Sequence, residues 1–311
     1  MDLLQRLHTV VRRALLLRGA ESKLVEASGQ TVHFYRLKGK GSGPPVVLVH
    51  GLGGNANGFA RLLLALAKRF RAVYALDLPG NGFSPLPASG PLGLPAHLAV
   101  LHAFCQQVVG QPALVVGNSL GGALVLTLAA QHPEDFCAVG LLAPAGARLS
   151  PERFSELMGR LEVHTTREAV AFTRRLFHRT PLTAFLFAPQ MVKVHSAPAV
   201  RFIRARATVE EHLSPETLNR VAAPTLLLWG ASEKLLPLEM LAYFRRYLPS
   251  TARIEVIEGV GHVPQMERPK EIARRLAQFA EEAGVLAPQA SASRSAAPTS
   301  SAGTRPARPM G

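Results

Sequence analysis

Val115-Val116-Gly117-Asn118-Ser119-Leu120-Gly121-Gly122 carries a Gly-x-Ser-x-Gly pattern between two segments of different character. Upstream, Pro112–Val116 is a short apolar run that reads as a buried strand. Downstream, Gly122–His132 has the length and the Ala/Leu content of a helix. A serine on a sharp turn from strand to helix has its hydroxyl pushed clear of the backbone. Small neighbours such as Gly117 and Gly121 let the chain pack closely enough to make that turn. The helix beginning there points unpaired N–H groups at any negative charge that forms beside Ser119.

The same alternation extends in both directions. Thr31–Arg36, Val46–Val49, Ala72–Leu76, Cys137–Leu142, Thr225–Trp229 and Arg253–Ile257 read as strands. Gly58–Arg69, Leu94–Val109, Pro237–Tyr247 and Pro269–Ala283 read as helices between or after them. Strands that alternate with helices, among them the continuously apolar Val46–Val49, predict an α/β fold, with a mostly parallel sheet covered by helices on both faces.

From Ser150 to Thr217 the rhythm changes to several short helices without a strand, too long for a plain connection. The expected organisation is therefore an amphipathic N-terminal helix and linker (1–30), a first core part (31–149), a helical cap (150–217), a second core part (218–285) and a tail (286–311). The tail is Ala, Ser, Pro, Thr, Gly and Arg, too poor in apolar residues to order itself. At the N-terminus, Leu3, Leu4, Leu7, Val10, Val11, Ala14 and Leu15 share one helical face. That face suits either packing on the domain or lying on anionic lipid.

The 311 residues are 48% hydrophobic, with a formal net charge of +14. The tail holds Arg294, Arg305 and Arg308 and no acid, so most of the excess lies elsewhere. Arg167–Arg206 carries eight basic residues against Glu168 alone. Such a stretch suits a solvated face, or attraction to an anionic membrane or substrate. No zinc-finger, RNP-type or helix-turn-helix pattern accompanies the charge, so nucleic acid is not an expected partner. Two cysteines, Cys105 and Cys137, both in apolar segments, suit a reducing compartment, and a cytoplasmic location is expected. Arg6, His8, Arg12 and Arg13 interrupt the N-terminal apolar run, which does not read as a signal peptide.

A serine hydroxyl is a poor nucleophile at neutral pH. It needs a base within reach and an acid that orients the base. Two later loops each follow an expected strand and supply candidates. Trp229-Gly230-Ala231-Ser232-Glu233-Lys234-Leu235-Leu236-Pro237 contains Glu233, and Gly259-Val260-Gly261-His262-Val263-Pro264 contains His262. Loops at the C-terminal ends of parallel strands converge on one edge, where ligands bind. Upstream, His50-Gly51-Leu52-Gly53-Gly54-Asn55 ends another strand in glycines that expose backbone N–H groups. Asp77-Leu78-Pro79-Gly80-Asn81-Gly82-Phe83-Ser84 is a turn-rich loop, with Asp77 expected to brace the site from below. His97, His102 and His132 read as satisfied residues in or beside helices. His164, His178, His195 and His212 lack metal-ligand spacing, so neither a metal nor a cofactor is expected.

In this order the chain resembles an α/β-hydrolase of the cap-bearing esterase and lipase group, over about 31–279. The resemblance rests on five patterns in register. They are His50-Gly51, Asp77-x-Pro79-Gly80-x-Gly82-x-Ser84, Gly117-x-Ser119-x-Gly121, Trp229-Gly230 with Glu233 and Pro237, and Gly261-His262. Val139–Gly146 and Met266-Glu267-Arg268-Pro269 are similar to the monoacylglycerol-lipase-like branch. The resemblance implies Ser119 as nucleophile, His262 as base, Glu233 as its orienting acid, and the N–H groups of Leu52 and Leu120 as the oxyanion hole. His50, Gly51, Gly117 and Gly121 support those turns. The family usually carries Asp at Glu233, so this loop must sit one methylene further from His262. The implied activity is hydrolysis of carboxylic esters, with single-chain lipid esters such as monoacylglycerols as candidate substrates. The alternatives are a carbon–carbon bond hydrolase of ring-cleavage products and a catalytically retired binding module. Oligomeric state cannot be read from the chain.

Overall fold

The computed structural model describes residues 3–287. Eight strands form one sheet: β1 Glu21–Ala27, β2 Gln30–Lys38, β3 Val46–Val49, β4 Ala72–Leu76, β5 Ala113–Asn118, β6 Phe136–Leu142, β7 Thr225–Gly230 and β8 Arg253–Ile257. Their spatial order is β1-β2-β4-β3-β5-β6-β7-β8. The first two pairings, β1 with β2 and β2 with β4, are antiparallel, and the remaining pairings are parallel. The order reverses around β3, which lies between β4 and β5. This is where an open parallel sheet leaves a crevice at its C-terminal edge.

Both faces of the sheet are covered, which explains the unbroken apolar strands. In β3 every residue is fully buried, with Val47 and Val49 facing one core and Val46 and Leu48 the other. The helices of the core are α1 Leu3–Leu16, α2 Ala60–Leu66, α3 Leu94–Phe104 and α4 Leu120–Gln131 before the cap region. That region holds α5 Pro151–Leu161, α6 Thr166–Leu176, α7 Leu182–Ser196, α8 Pro198–Arg206 and α9 Pro215–Asn219. Then come α10 Leu238–Tyr247, α11 Pro264–Glu267 and α12 Pro269–Glu282. One core lies between the sheet and α2 and α12, through Leu62, Leu63, Leu66, Ile272 and Leu276. The other lies against α3, α4 and α10, through Leu101, Phe104, Leu124, Val125 and Phe244.

The sequence expectations depart from the structure in several places. Residues 21–27, assigned to a linker, form β1. It is an edge strand on which Ala27 alone is buried, so its sequence lacks the apolar alternation that marks a strand. The helix expected over Gly58–Arg69 is a 3₁₀ turn at Ala56–Phe59 followed by α2. Asn55 starts that turn by accepting the Asn57 N–H, so the chain bends there before it can become α-helical. The expected Leu94–Val109 helix ends its α-helical part at Phe104 and closes in a π turn over Cys105–Val109, stopped by Gly110 at φ +67°. Cys105 is buried but Cys137 is only half-buried, and both are free thiols.

The face of α1 that the sequence treats as one stripe is split. Leu15 is buried and Val11 packs on the core, while Leu3, Leu7 and Val10 are exposed. Residues 150–217 contain helices and no strand, and α9 runs two residues past that boundary. Among the described residues, no helix is long and apolar enough to cross a membrane. The expected disordered tail lies outside the described residues from 288 onward.

Candidate active site

Ser119 occupies a strained position between β5 and α4, with φ +54° and ψ −121°. The turn closes because nothing stands in its way. A Cβ at Gly117 would collide with the Gly121 carbonyl, and one at Gly121 with the Val49 carbonyl. The strain is held by backbone bonds: the Ser119 N–H donates to Leu142 O at 3.1 Å, and Ser119 O accepts from Ala145 at 3.0 Å. Gly51 approaches the serine so closely that a Cβ there would lie 2.9 Å from Ser119 Cβ. The His50–Asn55 loop and the serine turn are therefore in contact.

Glu233 and His262 also meet. Glu233 Oε2 lies 2.7 Å from His262 Nδ1, with both side chains almost fully buried. Glu233 Oε1 accepts the N–H groups of Leu235 at 2.7 Å and Leu236 at 3.0 Å. The loop thus anchors one carboxylate oxygen on its own backbone and presents the other to the imidazole. This arrangement accommodates the extra methylene of Glu. A carboxylate on Nδ1 fixes the proton there and leaves Nε2 as the basic atom.

The imidazole loop is joined to the serine turn by a residue that the sequence reading passed over. Asn118 Nδ2 donates to the His262 carbonyl at 3.1 Å and to Leu142 O at 2.8 Å, while its Oδ1 accepts from Gln265 Nε2 at 2.9 Å. Asn118 immediately precedes Ser119, so this staple sets the two turns side by side. A polar residue at the x of Gly-x-Ser was the available signal.

The cap region holds the same loop from the other side. The His262 N–H donates to Leu176 O at 2.9 Å. Glu267 accepts the His178 N–H at 2.8 Å and the Gly261 N–H at 2.6 Å, one on each oxygen. The His178 ring lies 2.7 Å from Ser232 Oγ, one residue from Glu233. The Leu176–His178 segment is thus strapped to both the acid loop and the imidazole loop.

The loop after β3 is braced differently. His50 is buried and bridges two backbone groups: Nδ1 donates to Gly51 O at 2.8 Å and Nε2 accepts from Leu78 N at 3.0 Å. Burial pushes its pKa below the ordinary histidine value, so the ring stays neutral, as that bridge requires. Asp77 accepts from Ala56 N at 2.6 Å, from Phe83 N at 3.0 Å and from His33 Nδ1 at 2.7 Å. Leu52 and Leu120 line one crevice together with Gly51 and Gly53. Leu120 is the first residue of α4, so its N–H has no partner inside the helix.

Ala199, Val200 and Ile203 of α8 close over this crevice, leaving a space of about 10 Å³, enough for one water-sized group. That is smaller than an acyl-chain tunnel beneath a cap would need. Sequence patterns placed Asp77 below the site but gave no role to His33, Asn118, His178, Gln265 and Glu267. Leu52, Leu120, His50 and Gly51 lie on the crevice, whereas Glu233 and His262 pair outside its lining.

The sequence matches the α/β hydrolase fold family over residues 44–269. Monoacylglycerol lipase ABHD6 of Rattus norvegicus is 22% identical over 265 residues, 79% of this chain and 78% of that protein. Pimeloyl-[acyl-carrier protein] methyl ester esterase of Chromobacterium violaceum is 29% identical over 259 residues, 78% of this chain and 96% of that protein. Among solved structures, a membrane phospholipase A described as a bacterial virulence factor superposes with a TM-score of 0.77. It is 26% identical, covering 90% of this chain and 92% of that one. The eight-stranded sheet, the strained serine turn and the match over most of the sequence agree: the chain belongs to the α/β-hydrolase fold family.

Proposed function

We propose that this protein hydrolyses carboxylic esters through an acyl-enzyme on Ser119. The observation that carries the reading is the buried Glu233–His262 pair at 2.7 Å, stapled through Asn118 to the serine turn. Ser119 Oγ attacks the ester carbonyl as His262 Nε2 takes its proton. Glu233 holds the tautomer and balances the imidazolium. The Leu52 and Leu120 N–H groups receive the oxyanion; losing one such donor costs on the order of 10²–10³ in rate. His262 then protonates the leaving alcohol, and a water it activates releases the acid.

Relatives named for monoacylglycerol and methyl ester hydrolysis support single-chain esters as the substrate class. Purified protein should hydrolyse p-nitrophenyl esters of short and medium acyl chains. Ser119→Ala should abolish turnover and labelling by a fluorophosphonate. A well-folded preparation that cleaves no ester overturns the reading. Turnover of a dienoic ketoacid in its place moves the assignment to carbon–carbon hydrolysis.

A peripheral site of action at an anionic bilayer goes with this reading. Leu3, Leu7 and Val10 of α1 and Leu182 and Leu186 of α7 are exposed, and the two helices touch. Asn55 Nδ2 donates to His8 Nε2 at 3.3 Å and the Arg12 guanidinium lies 5.1 Å from the Phe83 ring centre, which together hold α1 beside the oxyanion side of the site. No acid occurs in α1, which carries Arg6, Arg12 and Arg13. Apolar side chains ringed by guanidinium groups suit the headgroup boundary of anionic lipid. Vesicles containing phosphatidylglycerol should sediment the protein where phosphatidylcholine alone does not, and Leu7→Glu with Leu182→Glu should release it. Equal partition onto both vesicle types overturns the docking.

A further inference from the structure

The crevice beside the oxyanion donors contains a histidine with an unused nitrogen. His97, expected to be a satisfied helix residue, lies in the first turns of α3 and is 1% exposed. Its Nδ1 lies 2.9 Å from the Gly93 carbonyl. A carbonyl can only accept, so Nδ1 carries the proton and Nε2 of the neutral ring offers a lone pair. Nε2 is buried and has no hydrogen-bond partner among the described residues. Burial lowers the ring's pKa, and the positive end of α3 opposes a second proton, so the ring stays an acceptor.

A buried acceptor left unpaired is destabilising, and a ligand that donates to it removes that cost. His97 lines the same crevice as Leu52, Leu120 and Asn81. Asn81 spends its amide nitrogen on the Pro79 carbonyl at 3.1 Å, so its side chain has an acceptor left to offer as well. The crevice thus gathers the Leu52 and Leu120 turns and two residues with an unspent acceptor, His97 and Asn81, around one small space. Its complement is a carbonyl oxygen with a hydroxyl close by. The space of about 10 Å³ admits one water-sized group, such as a hydroxyl, and no acyl tail.

We infer that this crevice is a hydroxyl subsite read by His97 Nε2, and that the preferred substrates are esters carrying a hydroxyl near the scissile carbonyl. The inference rests on the ester-hydrolase reading and names the substrate class within it. The hydroxyl can come from the leaving alcohol, as in a glycerol monoester, or from the acyl chain, as in a 3-hydroxyacyl ester.

Two substrate pairs separate these sources: glycerol monodecanoate against propyl decanoate, and methyl 3-hydroxydecanoate against methyl decanoate. In the wild-type protein, the hydroxylated member of at least one pair should have a kcat/KM about tenfold higher or more, the worth of one good hydrogen bond. His97→Leu should collapse that ratio to within about threefold, whatever it does to absolute rates. His97→Gln keeps a side-chain acceptor and should retain the preference, which decides the matter if the Leu variant does not fold. The proposal is overturned if neither pair shows a preference, if the preference survives His97→Leu, or if His97→Gln loses it. Hydrolysis of none of the four esters removes the ester-hydrolase reading instead.

Discussion

The two sides of the serine turn are supported in opposite ways. On the oxyanion side, His50 and Asp77 reach Gly51, Ala56, Leu78, Phe83 and His33, all within the first 84 residues of the chain. This side is one locally closed network between β2, β3 and β4. On the imidazole side, His262 depends on Glu233 after β7, Asn118 at the end of β5 and Leu176 at the end of α6, while Glu267 ties its loop to His178. The imidazole is held by segments scattered over the chain, and one of them belongs to the helical 150–217 region. A displacement of the cap can therefore disturb the base through its strap while leaving the oxyanion loop's own bracing intact.

The largest expected effect is on the scattered side. Glu233→Gln keeps the shape of the acid, but removes the charge that balances the imidazolium and can present an N–H to Nδ1. By analogy with triad acids, kcat should fall by about 10³–10⁴, with KM for a p-nitrophenyl ester little changed. Steady-state kinetics decides this. A loss below tenfold would mean that the pair at 2.7 Å is a buried structural contact and not part of the chemistry.

On the closed side, Asp77→Asn should act mainly through stability. Asp77 accepts three hydrogen bonds, and an amide at that position must turn its NH₂ toward at least one donor. A buried donor without an acceptor costs about 1–3 kcal/mol, so urea unfolding should show a loss of that order. Gly82 allows no retreat, because a Cβ there would meet the Asp77 carboxylate. Displacement of the oxyanion loop should also lower kcat by about 10–100-fold, without moving the acidic limb of the pH–rate profile. If that limb moves, the two sides are coupled and the contrast fails.

Much of this contrast follows from what a sequence can express. The strand-to-helix turn at Ser119, the glycines after β3 and the loops after β7 and β8 are short-range features. Each needs particular residue types within a few positions, so their placement on one sheet edge was readable. β1 was missed because an exposed edge strand has little need of apolar alternation. The strap was missed because two of its groups, Leu176 O and His178 N, are backbone atoms that every residue carries. The Asn118–Gln265 bond spans 147 positions, and the unused nitrogen of His97 is visible only once its surroundings are known. Long-range polar contacts leave no periodicity to read.

The smallest effect tests the strap itself. Glu267 accepts the Gly261 N–H on one oxygen and the His178 N–H on the other, and so couples the residue before the base to the cap region. Glu267→Gln can satisfy one of these donors and must turn its amide nitrogen toward the second. The His262 loop keeps its staple to Asn118, so the imidazole should be misaligned for part of the time and not lost. The expected result is a fall in kcat of about tenfold, the cost of one net hydrogen bond, with KM unchanged and the acidic limb of the pH–rate profile displaced. Glu267→Ala should go further in the same direction. A variant that loses stability but keeps kcat within twofold and the limb in place would show that the strap only packs the cap region down. The base would then be positioned from Asn118 and Glu233 alone.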